Sequence, residues 1–163
     1  MTRQLRVYFN NSVYHVCIRG NNRQRILERD EDKIIFLRSL CKFKLRFGFK
    51  LYALVIMDNH VHLVIQATHN ITISKIMHAV TLSFSVQFRK KYLYRGYVWQ
   101  GRFKSNVIEG NNYILSCIGY IHNNPVRARI AQGPQNYLWS SYHFYHSQTN
   151  PLQDYVEFDR FQE

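Results

Sequence analysis

The sequence predicts an α+β sandwich of the ferredoxin-like or RRM-like kind, an antiparallel sheet with helices packed on one face. Three observations predict it: short β-prone runs that alternate or are continuously apolar, helical spacing of apolar residues between them, and the order strand, helix, strand, strand, helix, strand, helix. At 163 residues, 46% of them hydrophobic, the chain suits a single domain over 1–163 with a real core, and the stretch from about 150 to 163 reads as an acidic tail.

Ser12 to Arg19 is the first strand, stopped by the turn-formers Gly20, Asn21 and Asn22. Asp30 to Phe47 is the first helix, with Ile34, Ile35, Leu37, Leu40, Cys41 and Leu45 as its apolar residues, acids in its first turn, Arg46 in its last and Gly48 beyond. Phe49 to Met57 and His60 to Gln66 form a hairpin across Asp58-Asn59. Ile73, Ile76, Met77, Val80, Phe84 and Phe88 recur at helical spacing, so a second helix runs from Thr72 to about Tyr92, with Lys75, Gln87 and Lys90 toward solvent. An aromatic connection over Tyr94 to Phe103 leads to a strand at Ser105 to Ile108. A third helix follows from about Asn111 and yields at Pro125, with Ile114, Cys117, Ile118 and Ile121 as its core stripe. The last forty residues have no clear periodicity.

Charge narrows the partner. The chain carries 22 Lys and Arg against 10 Asp and Glu, a formal +12, and between Lys33 and Gln153 its only acids are Asp58 and Glu109. A body with pI near 9.8 concentrates polyanions, and interleaved Tyr and Phe offer faces for unpaired bases, so nucleic acid is the natural partner. No run approaches the roughly 18 apolar residues of a membrane span. The amino terminus does not read as a cleavable signal, so the expected compartment is the cytoplasm. Cys17, Cys41 and Cys117, odd in number and without a CxxC, read as reduced core thiols.

Two patterns carry chemistry. His60 and His62 alternate along a strand, which puts both imidazoles on one face with Cα atoms about 6 to 7 Å apart, a spacing that lets them share a divalent ion. On the third helix Tyr120 and Asn124 lie one turn apart beside the core stripe, facing the sheet. Each pattern alone has an ordinary reading: hydrogen-bonded histidines, a core tyrosine, an asparagine at a helix end. Their combination is informative.

The run Val55 to Val64, containing Asp58-Asn59-His60-Val61-His62, resembles the HUH motif of single-tyrosine transposases, and Tyr120-Ile121-His122-Asn123-Asn124-Pro125-Val126 resembles their tyrosine helix. The likeness extends to Tyr14-His15-Val16, Arg19 to Arg23, Val98 to Phe103 and Trp139 to Tyr142, and its nearest branch is the REP-associated tyrosine transposases, which process palindromic hairpins in bacterial genomes. The resemblance implies that His60, His62 and Asn124 hold Mg²⁺ or Mn²⁺ and that Tyr120 is the nucleophile, nicking single-stranded or hairpin DNA through a 5′-phosphotyrosine. Where the family commonly has proline this chain has Asp58, either a further oxygen near the metal or a shaper of the turn. The expected DNA contacts are Arg19, Asn21, Asn22, Arg23, Arg89, Lys90, Lys91, Arg95, Trp99, Arg102 and Lys104; Tyr94, Tyr97 and Trp99 serve as stacking faces or equally as core. The enzyme acts as monomer or homodimer, with the tyrosine used in cis or in trans. The alternatives are a non-catalytic RRM-like or transposase-derived hairpin-binding protein and, less in keeping with the tyrosine helix, a zinc hydrolase that uses only the histidine pair.

Overall fold

The computed structural model describes residues 11–68 and 70–161; the last two residues of the expected acidic tail lie outside them. Four strands, β1 (Val13–Arg19), β2 (Lys50–Ile56), β3 (His60–Gln66) and β4 (Lys104–Ile108), form one antiparallel sheet in the order β2-β3-β1-β4. β3, with its histidines, is therefore interior. Period-2 alternation sorts its residues: Val61, Leu63 and Ile65 face one side, His60, His62 and Val64 the other. The β2–β3 pairing slips between Leu51 and Ala53, so Tyr52 and Ala53 both turn to the histidine side.

Helices α1 (Asp30–Phe47) and α2 (Ile73–Tyr92) cover the first side, as expected. The α2 stripe buries as its spacing foretells, and Thr72 caps it by accepting from Lys75 N–H at 3.2 Å. α1 is rotated from the expectation: Phe36, Leu37, Leu40 and Phe43 are its buried apolar residues, while Leu45 is 80% exposed. The phenylalanines bury more apolar area than Ile34, Ile35 or Leu45 would, and packing against α2 decides the rotation. α1 ends at Gly48, whose φ of 68° suits a residue without Cβ.

The third helix corrects the one-face arrangement. α3 (Asn111–His122) lies on the opposite side of the sheet, where Ile114, Ile118 and Ile121 pack on Val13, Val55 and Val64 with half-buried Cys117 beside them. With α1 and α2 occupying one side, its apolar stripe is satisfied only on the other. The helix also stops earlier than Pro125: Asn123 (φ −86°, ψ −3°) caps it, and a separate turn, α4 (Asn124–Arg127), begins with Pro125 at its start. Proline is at ease there, where its missing N–H has no bond to make.

The C-terminal segment, unassigned by periodicity, seals the free edge of β2. Ile56 N–H donates to Trp139 C=O (2.9 Å), Ser141 N–H to Leu54 C=O (2.9 Å), and Leu54 N–H to Ser141 Oγ (2.9 Å). α5 (Tyr142–His146) follows, and Leu152, Val156 and Phe158 fold back into the main core, so this end is structural rather than a free tail. The three cysteines are free thiols.

Candidate active site

The site lies on the α3 side, at the ends of β1 and β3 where the helix gives way. Strand pairing sets Arg19 opposite His60 and Cys17 opposite His62, and His15 shares their side. His60 Nδ1 lies 2.6 Å from Asn59 Oδ1, and His62 Nδ1 lies 3.0 Å from Nε2 of His15. The His60 and His62 rings stand 5.0 Å apart by centroid. Burial lowers the pKa of all three imidazoles; His62, also beside His60, His15 and Arg19, falls to about 3. Neutral imidazoles keep the lone pairs that a cation needs.

Tyr120 reaches this cluster from α3. Its ring meets the edge of His15, centroids 6.2 Å apart and planes at 77°, and the Arg127 guanidinium sits 4.8 Å over it. The phenol is at the rim: Tyr120 is 45% exposed, more open to solvent than the helical spacing alone implies, and accessible to a polymeric substrate. Asn124, half-buried, presents a buried Nδ2 with no hydrogen-bond partner among the described residues. That Nδ2 is a donor and calls for an acceptor, whereas the Oδ1 of the same amide is the atom that a cation would take. No group of three or more His, Cys, Asp or Glu among the described residues is arranged to hold a metal. The donor chemistry fits an imidazole-rich divalent site completed by an amide, with coordination positions left for other oxygens.

Two residues of the motifs turn out to be structural. Asp58 accepts from Arg25 (2.6 Å) and Lys33 (3.2 Å), and its C=O accepts from Leu27 N–H, so it shapes the turn rather than offering a free carboxylate. Partial burial raises its pKa, but those two cations outweigh burial and hold it below the usual carboxylate range. His122 is buried and bonded through Nε2 to Ser141 Oγ (2.7 Å), among Tyr142, Tyr145 and His146, which removes it as a base for Tyr120.

The expected DNA contacts separate into groups. Arg19, Arg102 and Lys104 line one groove with Cys17 and Gln100, adjoining the histidines. Asn22 and Arg23 are exposed on a neighbouring turn with left-handed backbone (φ 50° and 58°), and Asn21, half-buried, donates its N–H to Val98 C=O. Gly20 before them has no room for a side chain, since a Cβ would meet Gln24 C=O at 2.5 Å. Arg89, Lys90 and Lys91 instead belong to the end of α2, on the other layer. Arg89 holds Gly96 C=O (2.9 Å), Lys91 pairs with the buried carboxylate of Asp32 (2.8 Å), and Lys90 is exposed, as is Arg95 in the following loop. Trp99 is a correction: it is 8% exposed, packed on Phe36 and Phe84, with its N–H donated to Thr81 C=O, and is core rather than a stacking face. Tyr97, 79% exposed, is free to stack.

Arg127 lies outside the quoted motifs, and His15, though inside the Tyr14-His15-Val16 run, carries no expected role there. Their signals were a lone histidine among the apolar residues of β1 and an arginine seven residues after Tyr120.

The family model described as IS200-like transposase matches residues 8–124. No curated protein matches the chain by sequence. Among solved structures, one described as a REP-associated tyrosine transposase bound to a REP hairpin superposes with a TM-score of 0.73 at 17% identity, over 100% of this chain and 93% of that one. A candidate transposase from Deinococcus radiodurans R1 superposes with a TM-score of 0.52 at 20% identity, over 75% of this chain and 97% of that one.

Proposed function

The chain belongs to the IS200-like transposase family, and from that premise we propose that it cuts and rejoins single-stranded or hairpin DNA through a covalent bond to Tyr120. The observation that carries the reading is the continuous contact from nucleophile to metal-ligand pair within one chain: Tyr120 on His15, His15 on His62, His62 beside His60.

His60, His62 and Asn124 hold Mg²⁺ or Mn²⁺. When bound, the ion supplies Lewis acidity at the scissile phosphate and a template for its orientation. The chain's own residues do the rest. The Tyr120 Oη attacks phosphorus and gives up its proton while the bond from phosphorus to the 3′-oxygen breaks; that oxygen leaves as a 3′-OH and the 5′ side stays esterified to the phenol. Phenols are weak nucleophiles near neutral pH, with pKa near 10, so positioning matters, and His15 and Arg127 bracket the ring on two sides. Because the ester retains the bond energy, another 3′-OH can reverse the step and join a different strand. Arg19, Arg102 and Lys104 take the phosphates beside the cut, and Tyr97 offers a base-stacking face.

Tyr120 reaches the histidine cluster of its own chain through His15, which supports use of the tyrosine in cis. No helix of the described residues is long and apolar enough to cross a membrane.

The test uses 3′- and 5′-labelled hairpin oligonucleotides from the genomic flanks, with Mn²⁺ or EDTA, on denaturing gels. A metal-dependent protein–DNA band that is absent from Tyr120→Phe upholds the reading. Binding without an adduct, across a broad oligonucleotide pool, points instead to a hairpin-binding protein.

A further inference from the structure

We infer that His15 is a positioning residue for this reaction: it fixes which nitrogen of His62 faces the metal, and holds that ligand and the nucleophile in one contact chain. The inference rests on the metal-site reading above.

A neutral imidazole carries one N–H and one lone pair, so a hydrogen bond at one nitrogen decides the role of the other. At His60 the assignment follows from its neighbour. Asn59 donates its Nδ2 to Arg23 C=O (3.4 Å), which turns its Oδ1, an acceptor only, toward His60 Nδ1 at 2.6 Å. His60 Nδ1 therefore carries the proton and Nε2 the lone pair. At His62 the partner is another imidazole, His15 Nε2, 3.0 Å away. If His62 Nδ1 donates to His15, the lone pair of His62 falls on Nε2, matching His60; in the opposite sense Nε2 carries hydrogen and cannot ligate. The two ligands act together only when His15 is the acceptor.

The same ring has a second duty. The edge contact with Tyr120 means that a change of His15 orientation moves ligand and nucleophile together. Asn59 does for His60 what His15 does for His62, but only His15 also reaches the tyrosine.

The experiment compares wild type, His15→Phe, His15→Gln and His60→Ala. Phe keeps a ring against Tyr120 but cannot accept a hydrogen bond; Gln offers an amide oxygen in its place. Mn²⁺ binding to the DNA-free proteins is followed by the loss of the free-ion EPR signal, the His62 tautomer by ¹⁵N-imidazole NMR of the metal-free wild type, and folding by thermal melts. The inference expects an Nδ1–H tautomer at His62, Mn²⁺ affinity roughly 10- to 100-fold weaker in His15→Phe, and recovery in His15→Gln. An Nε2–H tautomer overturns it, as does unchanged affinity in His15→Phe when His60→Ala has lost binding. Should His60→Ala bind Mn²⁺ like wild type, the metal site itself is wrong and this inference falls with it. If His15→Phe fails to fold, the tautomer in the wild-type protein still decides.

Discussion

The two sides of the sheet are built from the same strands to opposite ends. Under α1 and α2, Val16, Ile18, Ile56, Leu63 and Ile65 meet Phe36, Leu40 and Phe84 in a continuous apolar layer. Under α3 the apolar contacts are with Val13, Tyr52, Ala53, Val55, Met57 and Val64, and the remaining positions on that side of β1 and β3 include His15, Cys17, Arg19, His60 and His62. One period-2 alternation thus assigns stability to one side and chemistry to the other. The apolar side holds the strands rigidly enough for the other to keep three half-buried, neutral imidazoles in fixed relation.

Tyr120→Phe is the sharpest test of that division. It removes one exposed hydroxyl, so the covalent adduct disappears entirely while stability, measured by urea unfolding, changes by no more than about 0.5 kcal/mol. A large loss of stability together with activity would mean that the two sides are not separable.

The converse substitution is Phe84→Ala. It empties a fully buried position between Phe36, Phe88 and Trp99 and is expected to cost about 3–5 kcal/mol. Trp99→Ala falls in the same class, whereas Tyr97→Ala leaves the unfolding midpoint in place and weakens single-strand binding by about 1–3 kcal/mol. Loss of DNA binding without loss of stability in Trp99→Ala would overturn the core assignment.

Acid separates the regions differently. Burial, with a smaller contribution from His146, lowers the pKa of His122 from 6.5 to about 4. Between those values the unfolded chain binds a proton that the folded chain refuses, so the stability linked to His122 is complete above pH 6.5 and is lost as pH falls toward 4. His122→Gln should flatten the stability–pH curve in that window, as read by urea midpoints at several pH values; an unchanged slope would show that the folded protein admits the proton.

How much of this was legible in the sequence depends on range. The bounds of α1 and β3, the α2 stripe and the α3 stripe follow from local periodicity, and they match to the residue or nearly so. The side of the sheet that α3 takes, the rotation of α1 and the edge-sealing by Ser140 and Ser141 depend on contacts between distant segments, which periodicity does not encode. The site divides likewise. His60 and His62 share a strand face by alternation alone, but His15 enters through register, which puts His62 opposite Cys17 and His15 opposite Val64. Trp99 and Tyr97 are two residues apart in one aromatic loop, and only the fold decides that the first is buried.

The smallest expected effects concern charge, and they test whether DNA runs along the histidine side. Each of Arg19→Ala, Arg102→Ala and Lys104→Ala removes one cation from the groove beside the histidines, and each should reduce the salt slope of hairpin binding by about 1 without disturbing the fold. Lys91 offers the contrast because its ammonium is already committed to buried Asp32, which also accepts from Tyr92 OH at 2.7 Å. Lys91→Met should therefore lower stability, by stranding a buried carboxylate, while leaving the salt slope as it was. Fluorescence anisotropy of a labelled hairpin across a salt series distinguishes the two sets. If the slope responds to Lys91 and Arg89 but not to the groove residues, the DNA path crosses the helical layer, and the division of labour between the two sides no longer holds.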